Sequence, residues 1–153
     1  MSDPLIETWS IHNRINLYFL AALEAGHLAI GPTPKGRTVG EMFAHVHNVR
    51  LMWLKASAPP LLAGLEKLEG AQATLSSLRD ALTASGTAIE QLLEQSLQAG
   101  GRVKGFKPHV HAFVGYLISH ESHHRGQAAL VLRQGGAALD KKTSFGLWEW
   151  GSR

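Results

Sequence analysis

Two histidines one helical turn apart are the residues of this sequence best placed to do chemistry. His120 and His124 lie within the segment 109–134, whose apolar residues recur with the period of an amphipathic helix. Residues four apart share a helix face, so both imidazoles can point at one ligand, whereas His123 diverges from His124 by more than a quarter of a turn. Imidazole pairs at this spacing suit borderline divalent metals. One helix supplies only two such ligands, so another element must provide the third.

The third imidazole has four candidates in the N-terminal part of the chain: His12, His27, His45 and His47. A donor from the second helix is favoured because the inward side of that helix is otherwise apolar, and a lone buried imidazole would need a partner. That inward side is predicted to be the stripe of Met42, Val46, Val49 and Trp53. At about 100° per residue, His45 falls beside the stripe and His47 points well away from it. We therefore prefer His45. By default we expect four histidines at the protein surface: His47, His109, His111 and His123.

The composition excludes several kinds of chemistry. A chain of 153 residues with 44% hydrophobic and 18% charged residues fits a single globular domain, residues 1–153, with a core that needs no covalent staple. It has no cysteine, which excludes disulfides, zinc-thiolate sites and cysteine nucleophiles. Sulfur chemistry would therefore require an external thiol as cosubstrate.

Charge and hydropathy give expectations about partners. The net charge is +3 and the pI about 9.5, but most basic residues are interleaved with acidic ones. The one local cluster, Arg102, Lys104 and Lys107, lies in a glycine-containing connection without alternating aromatic residues, so we expect a solvated loop and no nucleic-acid binding. No apolar run approaches the roughly 20 residues of a membrane span, and Met1–Pro4 lacks the layout of a signal peptide. We expect a cytoplasmic protein without a membrane partner.

The apolar periodicity predicts four long helices and no strands. Their expected bounds are Pro4 to about Ala25, the Thr38–Glu41 capping box to about Ala56, Thr74 to Gly100, and Pro108 to Gln134. Gly86 inside the third helix costs about 1 kcal/mol relative to alanine and leaves room for a close contact. The tail from Ala137 to Arg153 is too short for another long helix, and its large apolar residues should pack over the bundle or a second subunit, with a lid over the site as the lesser alternative. We predict an all-α four-helix bundle with an aromatic-rich C-terminal tail and room for a long crossover between helices two and three.

The inward face of the fourth helix is predicted to carry both apolar and polar side chains: Phe113, Tyr116, Leu117, His120, His124, Gln127 and Val131. Tyr116 precedes His120 by four residues and Gln127 follows His124 by three, so both could orient metal ligands or substrate, and Asn48 after His45 is a weaker candidate of the same kind. Ordinary structural roles for these side chains are an equal alternative. For Arg125 and Gly126 we expect an interhelical salt link and close packing.

Two motifs resemble those of a known family. The sequence from His120 to Gln127, HESHHRGQ, is similar to the H-x-x-x-H-R-G-Q signature of the DinB/YfiT-like family of bacterial metal-binding four-helix bundles. His45 with Trp53 eight residues later resembles the second motif of that family, and the C-terminal LWEWG is similar to the ends of some members. The resemblance spans most of the chain in the right order.

The resemblance implies a divalent metal, zinc or nickel, held by His45, His120 and His124, and it implies a homodimer. Members with known activity include transferases and isomerases that use a low-molecular-weight thiol such as bacillithiol or mycothiol, and many members have no assigned activity. Three neutral nitrogens would leave the metal able to acidify a thiol or water, creating a nucleophile near neutral pH.

Two function hypotheses follow. One is a metal-dependent enzyme, either a thiol-dependent S-transferase or a hydrolase. The other is a non-catalytic metal- or ligand-binding module of a stress response, in which the metal only braces the bundle. A fourth protein ligand, for instance from Glu41 or His47, would favour the second hypothesis because it would close the metal's open position. The small-molecule substrate is not indicated by any motif.

Overall fold

Four long helices and one short helix form the fold of residues 2–153, which are described by a computed structural model; Met1, at the start of the N-terminal segment discussed above, lies outside the described residues. The helices are α1 (Pro4–Ala21), α2 (Val39–Ser57), α3 (Leu75–Gln98), α4 (Val110–Gln134) and α5 (Lys141–Gly146). Both α1 and α2 pack against α3 and α4. The prediction of an all-α four-helix bundle is confirmed, and residues 2–153 contain no strand. None of the helices in this range is sufficiently long and apolar to cross a bilayer.

The helix starts follow the local capping signals. Asp3 accepts a hydrogen bond from the Leu5 backbone N–H at 2.8 Å, and Thr38 and Glu41 satisfy each other's backbone N–H groups at the start of α2. The end of α1 differs from the prediction, because the helix stops at Ala21 and the next residues form a 3-10 turn, Ala25–Ala29.

The buried face of α2 is rotated relative to the predicted stripe. Its most deeply buried large side chains include Phe43, His47, Arg50 and Leu54. Met42 and Val46 of the predicted stripe are buried as expected, whereas Val49 and Trp53 are only half-buried. The rotation follows from Arg50, a residue type normally at the surface, which is buried here because a carboxylate from α4 pairs with it.

The connection between α2 and α3, residues 58–74, folds back along α2. His47 Nε2 donates to the Glu66 carbonyl at 2.8 Å, and its Nδ1 lies 3.1 Å from Ser85 Oγ. Asn48 forms two hydrogen bonds of 2.9 Å with the backbone of Leu68. The prediction that His47 lies at the surface was wrong: it is 1% exposed, because these partners satisfy both ring nitrogens.

Gly86 is a point of close contact between α1 and α3. Trp9 Nε1 donates to the Gly86 carbonyl at 3.0 Å. The Asn13 side chain lies so close that a Cβ at position 86 would be 2.8 Å from Asn13 Cγ. The close contact allowed for in the sequence is therefore present.

The C-terminal tail packs on α1. The Arg153 guanidinium lies 3.8 Å above the Tyr18 ring and donates to the Gly146 carbonyl at 3.1 Å. Leu147 packs against the core, while Phe145 is 66% and Trp148 81% exposed. The expectation that all the large apolar side chains of the tail pack away from solvent therefore does not hold within this chain.

Candidate metal centre

The structure brings together the three histidines preferred from the sequence. His45 projects from α2, and His120 and His124 project from successive turns of α4. His45 Nε2 and His120 Nε2 are 3.4 Å apart, and the His124 ring centroid lies 4.7 Å from each of the other two centroids. One ring nitrogen of each histidine lies within 4.8 Å of the others. The cluster is therefore compatible with metal binding.

The spacing of the His45 and His120 nitrogens fits a tetrahedral ion. With zinc–nitrogen bonds of about 2.0–2.1 Å, two nitrogens of a tetrahedral site lie about 3.3 Å apart. The observed 3.4 Å between His45 and His120 agrees with this value. Two neutral imidazole nitrogens facing each other at this distance can form at most one weak hydrogen bond, whereas a cation between them would use both lone pairs. All three donors are borderline nitrogen ligands, which suit zinc and nickel.

The surroundings of the three imidazoles lower their pKa values and so favour the neutral form. Burial, followed by the charge of Arg37 and the other two histidines, lowers the pKa of His45 to about 4. Burial also lowers the pKa of His120 and of His124 below the usual value, and Arg37 contributes to both. Neutral imidazole is the form that binds a metal, so protons compete weakly for this cluster at neutral pH.

Gln127 fixes the orientation of one of these rings. Its side-chain oxygen lies 2.9 Å from His124 Nδ1. Because an amide oxygen only accepts, His124 Nδ1 carries the proton and the lone pair is left on Nε2. Tyr116 lies on the other side of the cluster, with its ring stacked 6.5 Å from that of His120. Both Tyr116 and Gln127 are exposed, so neither belongs to a buried stripe.

The remaining predicted residues serve elsewhere. His27 bonds the Glu24 backbone N–H; His109 is exposed and caps α4; His111 and His123 are exposed as expected. Arg125 does link two helices, since it donates to Asn16 Oδ1 at 2.6 Å, but its partner is an amide and not a carboxylate. Close packing at Gly126 was a wrong prediction, because a Cβ there would meet nothing within 4 Å.

A buried polar network centred on Glu121 lies near the cluster. Its carboxylate accepts from Arg50 Nε at 2.6 Å and Arg50 Nη2 at 2.9 Å, on α2. From α1 it accepts from His12 Nε2 at 2.7 Å and Asn16 Nδ2 at 3.0 Å. Arg50 and His12 are 0% exposed and Glu121 is 1% exposed. The network links α1, α2 and α4. Glu121 is the residue after His120 in the sequence, and Arg50 follows His45 by five residues.

The charge state of this network follows from its contacts. Burial alone would raise the pKa of the Glu121 carboxyl, but the charge and hydrogen bonds of Arg50 and the hydrogen bond from His12 lower it to about 2. Burial lowers the pKa of His12 despite its bond to Glu121. At neutral pH the network therefore contains one carboxylate, one guanidinium and a neutral imidazole, so its net charge is zero.

A groove lies beside one residue of the cluster, His45. The groove has a volume of about 890 Å³ and lies between α2 and the segment 62–71, with His45 in its lining. Arg37, also in the lining, is exposed and forms no ion pair within residues 2–153. Neither Glu41, whose carboxylate caps α2, nor the buried His47 joins the cluster.

Sequence reasoning missed Arg37, Arg50 and Glu121. A signal for Glu121 exists, because it follows Leu117 by four residues and precedes Ala128 by seven, which places it on the buried face of α4. Arg50 likewise falls between Val46 and Leu54 at intervals of four. Charged residues on buried stripes of two helices indicate a buried ion pair. No pattern in the sequence marks Arg37, since the groove exists only once the connection has folded.

Comparison with known proteins places this arrangement in a family. The chain matches the DinB family over residues 1–144. It belongs to that family. Among solved structures, this DinB chain is similar to a DinB-like protein from Bacillus cereus, with 20% identity, a TM-score of 0.62, and coverage of 89% of this chain and 93% of that one. It is also similar to the DinB-like protein YjoA from Bacillus subtilis, with 18% identity, a TM-score of 0.62, and coverage of 88% and 93%. No curated protein matches.

Proposed function

We propose that this DinB protein is a metal-dependent enzyme that transfers the sulfur of a small external thiol to an electrophilic substrate. His45, His120 and His124 would hold a divalent metal, zinc or nickel. When bound, such an ion supplies positive charge that acidifies a thiol or water at neutral pH. A hydrolase, in which water takes the place of the thiol, is the variant within the same proposal.

The observation that carries the proposal is an incomplete ligand set beside an open groove. Within residues 2–153 the cluster has three histidines and no fourth protein ligand. Structural metal sites are closed by four protein ligands, whereas catalytic sites keep a position free for water or substrate. The groove next to His45 would bring a small molecule into contact with one of the three ligands. A fourth ligand such as Glu41 or His47 would have favoured the non-catalytic alternative, and both are engaged elsewhere.

The residues of this chain would divide the work as follows. Gln127 holds the His124 ring in the tautomer that presents Nε2. Glu121 and Arg50 lock α4 against α2, and thereby keep His120 opposite His45. Arg37 adds positive charge at the groove end of the cluster. In the transfer itself, the thiol loses its proton to solvent, its sulfur forms a bond to the electrophilic carbon, and the leaving group departs with the electron pair of the broken bond.

The test is a thiol-transfer assay with purified protein loaded with zinc or nickel. Bacillithiol, cysteine and glutathione would each be incubated with monochlorobimane, and the fluorescent thioether measured against time. We expect metal-dependent turnover with at least one thiol. His120→Ala should abolish this turnover, and His123→Ala should retain it because His123 is an exposed neighbour on the same helix.

Two results would redirect the proposal. Metal-dependent hydrolysis of p-nitrophenyl acetate without any thiol would select the hydrolase variant. Loaded protein that accelerates neither reaction above the free metal ion would contradict an enzymatic role and favour the non-catalytic module.

A further inference from the structure

The groove beside His45 has the size of a small-molecule binding site. Its volume of about 890 Å³ falls within the range of roughly 300–1,000 Å³ typical of small-molecule sites. One side is the outer face of α2 and the other is the segment 62–71. Because His45 is part of the lining, a ligand in the groove can contact one residue of the metal centre.

The second wall of the groove is held in place by the protein itself. His47 bonds the backbone carbonyl of Glu66, and Asn48 bonds both backbone groups of Leu68. These three hydrogen bonds fix the segment that carries Leu65 and Leu68 against α2. A ligand therefore does not have to order this wall on binding, which lowers the entropic cost of association.

One end of the groove carries an unpaired positive charge. Arg37 lies there and acts on all three histidines of the cluster. It forms no ion pair within the described chain 2–153. The nearby Glu41 carboxylate is held by the Thr38 backbone N–H. A divalent metal would add further positive charge at the same end.

The groove also has an aliphatic wall. From His45 to Lys55 the helix rises about 15 Å at 1.5 Å per residue. Over this length the lining contains aliphatic side chains, Val49, Leu51, Met52, Leu62, Leu65 and Leu68, together with the charged residues Lys55, Lys67 and Glu69. Met52 is 53% exposed, which leaves a large apolar surface open to solvent. A hydrophobic chain that covered it would gain about 25 cal/mol per Å² removed from water.

We propose that the groove binds the substrate as an amphipathic carboxylate, with the carboxylate at Arg37 beside the metal centre and the apolar chain over Met52, Leu65 and Leu68. The identification of this ligand as the substrate rests on the proposed function. A neutral apolar molecule would leave Arg37 without a counter-ion, and a small hydrophilic anion would leave the aliphatic wall exposed. A molecule with both parts matches Arg37 and the aliphatic wall together.

The test uses octanoate as the probe and measures its binding by isothermal titration calorimetry, first to zinc-loaded and then to metal-free protein. We expect saturable binding of octanoate to one site per chain. 1-Octanol lacks the charge and should bind at least about tenfold more weakly, the factor that corresponds to one charge-assisted hydrogen bond. Acetate lacks the apolar chain and should also bind at least about tenfold more weakly, because it covers almost none of the aliphatic wall. Equal binding of octanoate and 1-octanol would overturn the assignment of the carboxylate to Arg37.

Two matched pairs of variants locate the site. Arg37→Gln should weaken octanoate binding at least about tenfold, while Lys35→Gln, an exposed cation two residues away and outside the groove lining, should leave it unchanged. Met52→Glu should abolish binding through lost apolar contact and charge repulsion. Leu130→Glu replaces a side chain of equal exposure, 54%, on another face of the protein and should have no effect. Thermal unfolding of each variant checks that the fold is intact.

The outcomes separate this inference from the proposed function. Metal uptake by elemental analysis together with Arg37-independent octanoate binding, or with none, would overturn the groove assignment and leave the metal centre standing. Arg37-dependent binding by protein that takes up no metal would support the groove and contradict the metal-dependent enzyme.

Discussion

Replacing Glu121 with glutamine should destabilise the metal-free protein by about 3 kcal/mol. Removing one partner of a buried ion pair typically costs about 3–5 kcal/mol, because the other charge stays buried without compensation. Here Arg50, at 0% exposure, would be that charge. Glutamine keeps one oxygen, which can still accept from Arg50 Nη2, His12 and Asn16, and it loses the acceptor for Arg50 Nε. We therefore expect the low end of the range.

Urea unfolding followed by circular dichroism, with a chelator present, measures this loss directly. For a chain of 153 residues, 3 kcal/mol corresponds to a decrease in Tm of about 6–12 °C. Glu94→Gln is the matched control because Glu94 is exposed on α3, and it should change the unfolding free energy by no more than about 0.5 kcal/mol. Arg50→Met combined with Glu121→Gln should cost less than the sum of the two single changes, since no unpaired charge is then buried. A Glu121→Gln protein within about 1 kcal/mol of wild type, at an unchanged m-value, would refute the reasoning.

Three further predictions follow from single contacts. Gly86→Ala should destabilise the protein by about 1–3 kcal/mol through overlap with α1. Gly115→Ala, where a Cβ meets nothing within 4 Å, should stabilise it by up to about 1 kcal/mol. Urea midpoints that rank the two variants in the opposite order would contradict the close contact at Gly86. Gln127→Ala should weaken zinc binding about 10–100-fold, because the ligand it orients is released, while Gln127→Glu keeps the acceptor and should restore the affinity in a competition titration with a chromophoric chelator. The metal-free protein should lose stability as the pH falls below about 6.5. Burial lowers the pKa of His12 and His47 in the folded state, so the unfolded chain takes up protons first. Unfolding free energies that stay level from pH 7.5 to 5.5 would show that these imidazoles are not desolvated.

The helical framework could be predicted from the sequence because its signals are local. Capping residues such as Asp3 and Thr38 mark helix starts, and apolar periodicity marks the helices themselves. The rotation of α2 could not be found in this way. A charged residue such as Arg50 counts as outward in any hydrophobic pattern, and its burial depends on a carboxylate 71 residues away in the chain.

The candidate site divides in the same manner. The spacing of His120 and His124 is a local property of one helix, so it could be recognised in the sequence. His45 could be preferred because it borders an apolar stripe. The burial of His47 could not be predicted from the sequence. Its partners Glu66 and Ser85 lie in a connection and in a helix that approach His47 only in the folded chain. The groove has the same origin, since one of its walls is that connection.

The metal content of untagged protein tests the central claim most directly. Elemental analysis after dialysis against zinc or nickel should give about one ion per chain for wild type and for His123→Ala, whose side chain is exposed, and close to none for His45→Ala, His120→Ala or His124→Ala. Absence of bound metal in wild type, or equal content in His124→Ala and His123→Ala, would contradict a three-histidine metal centre.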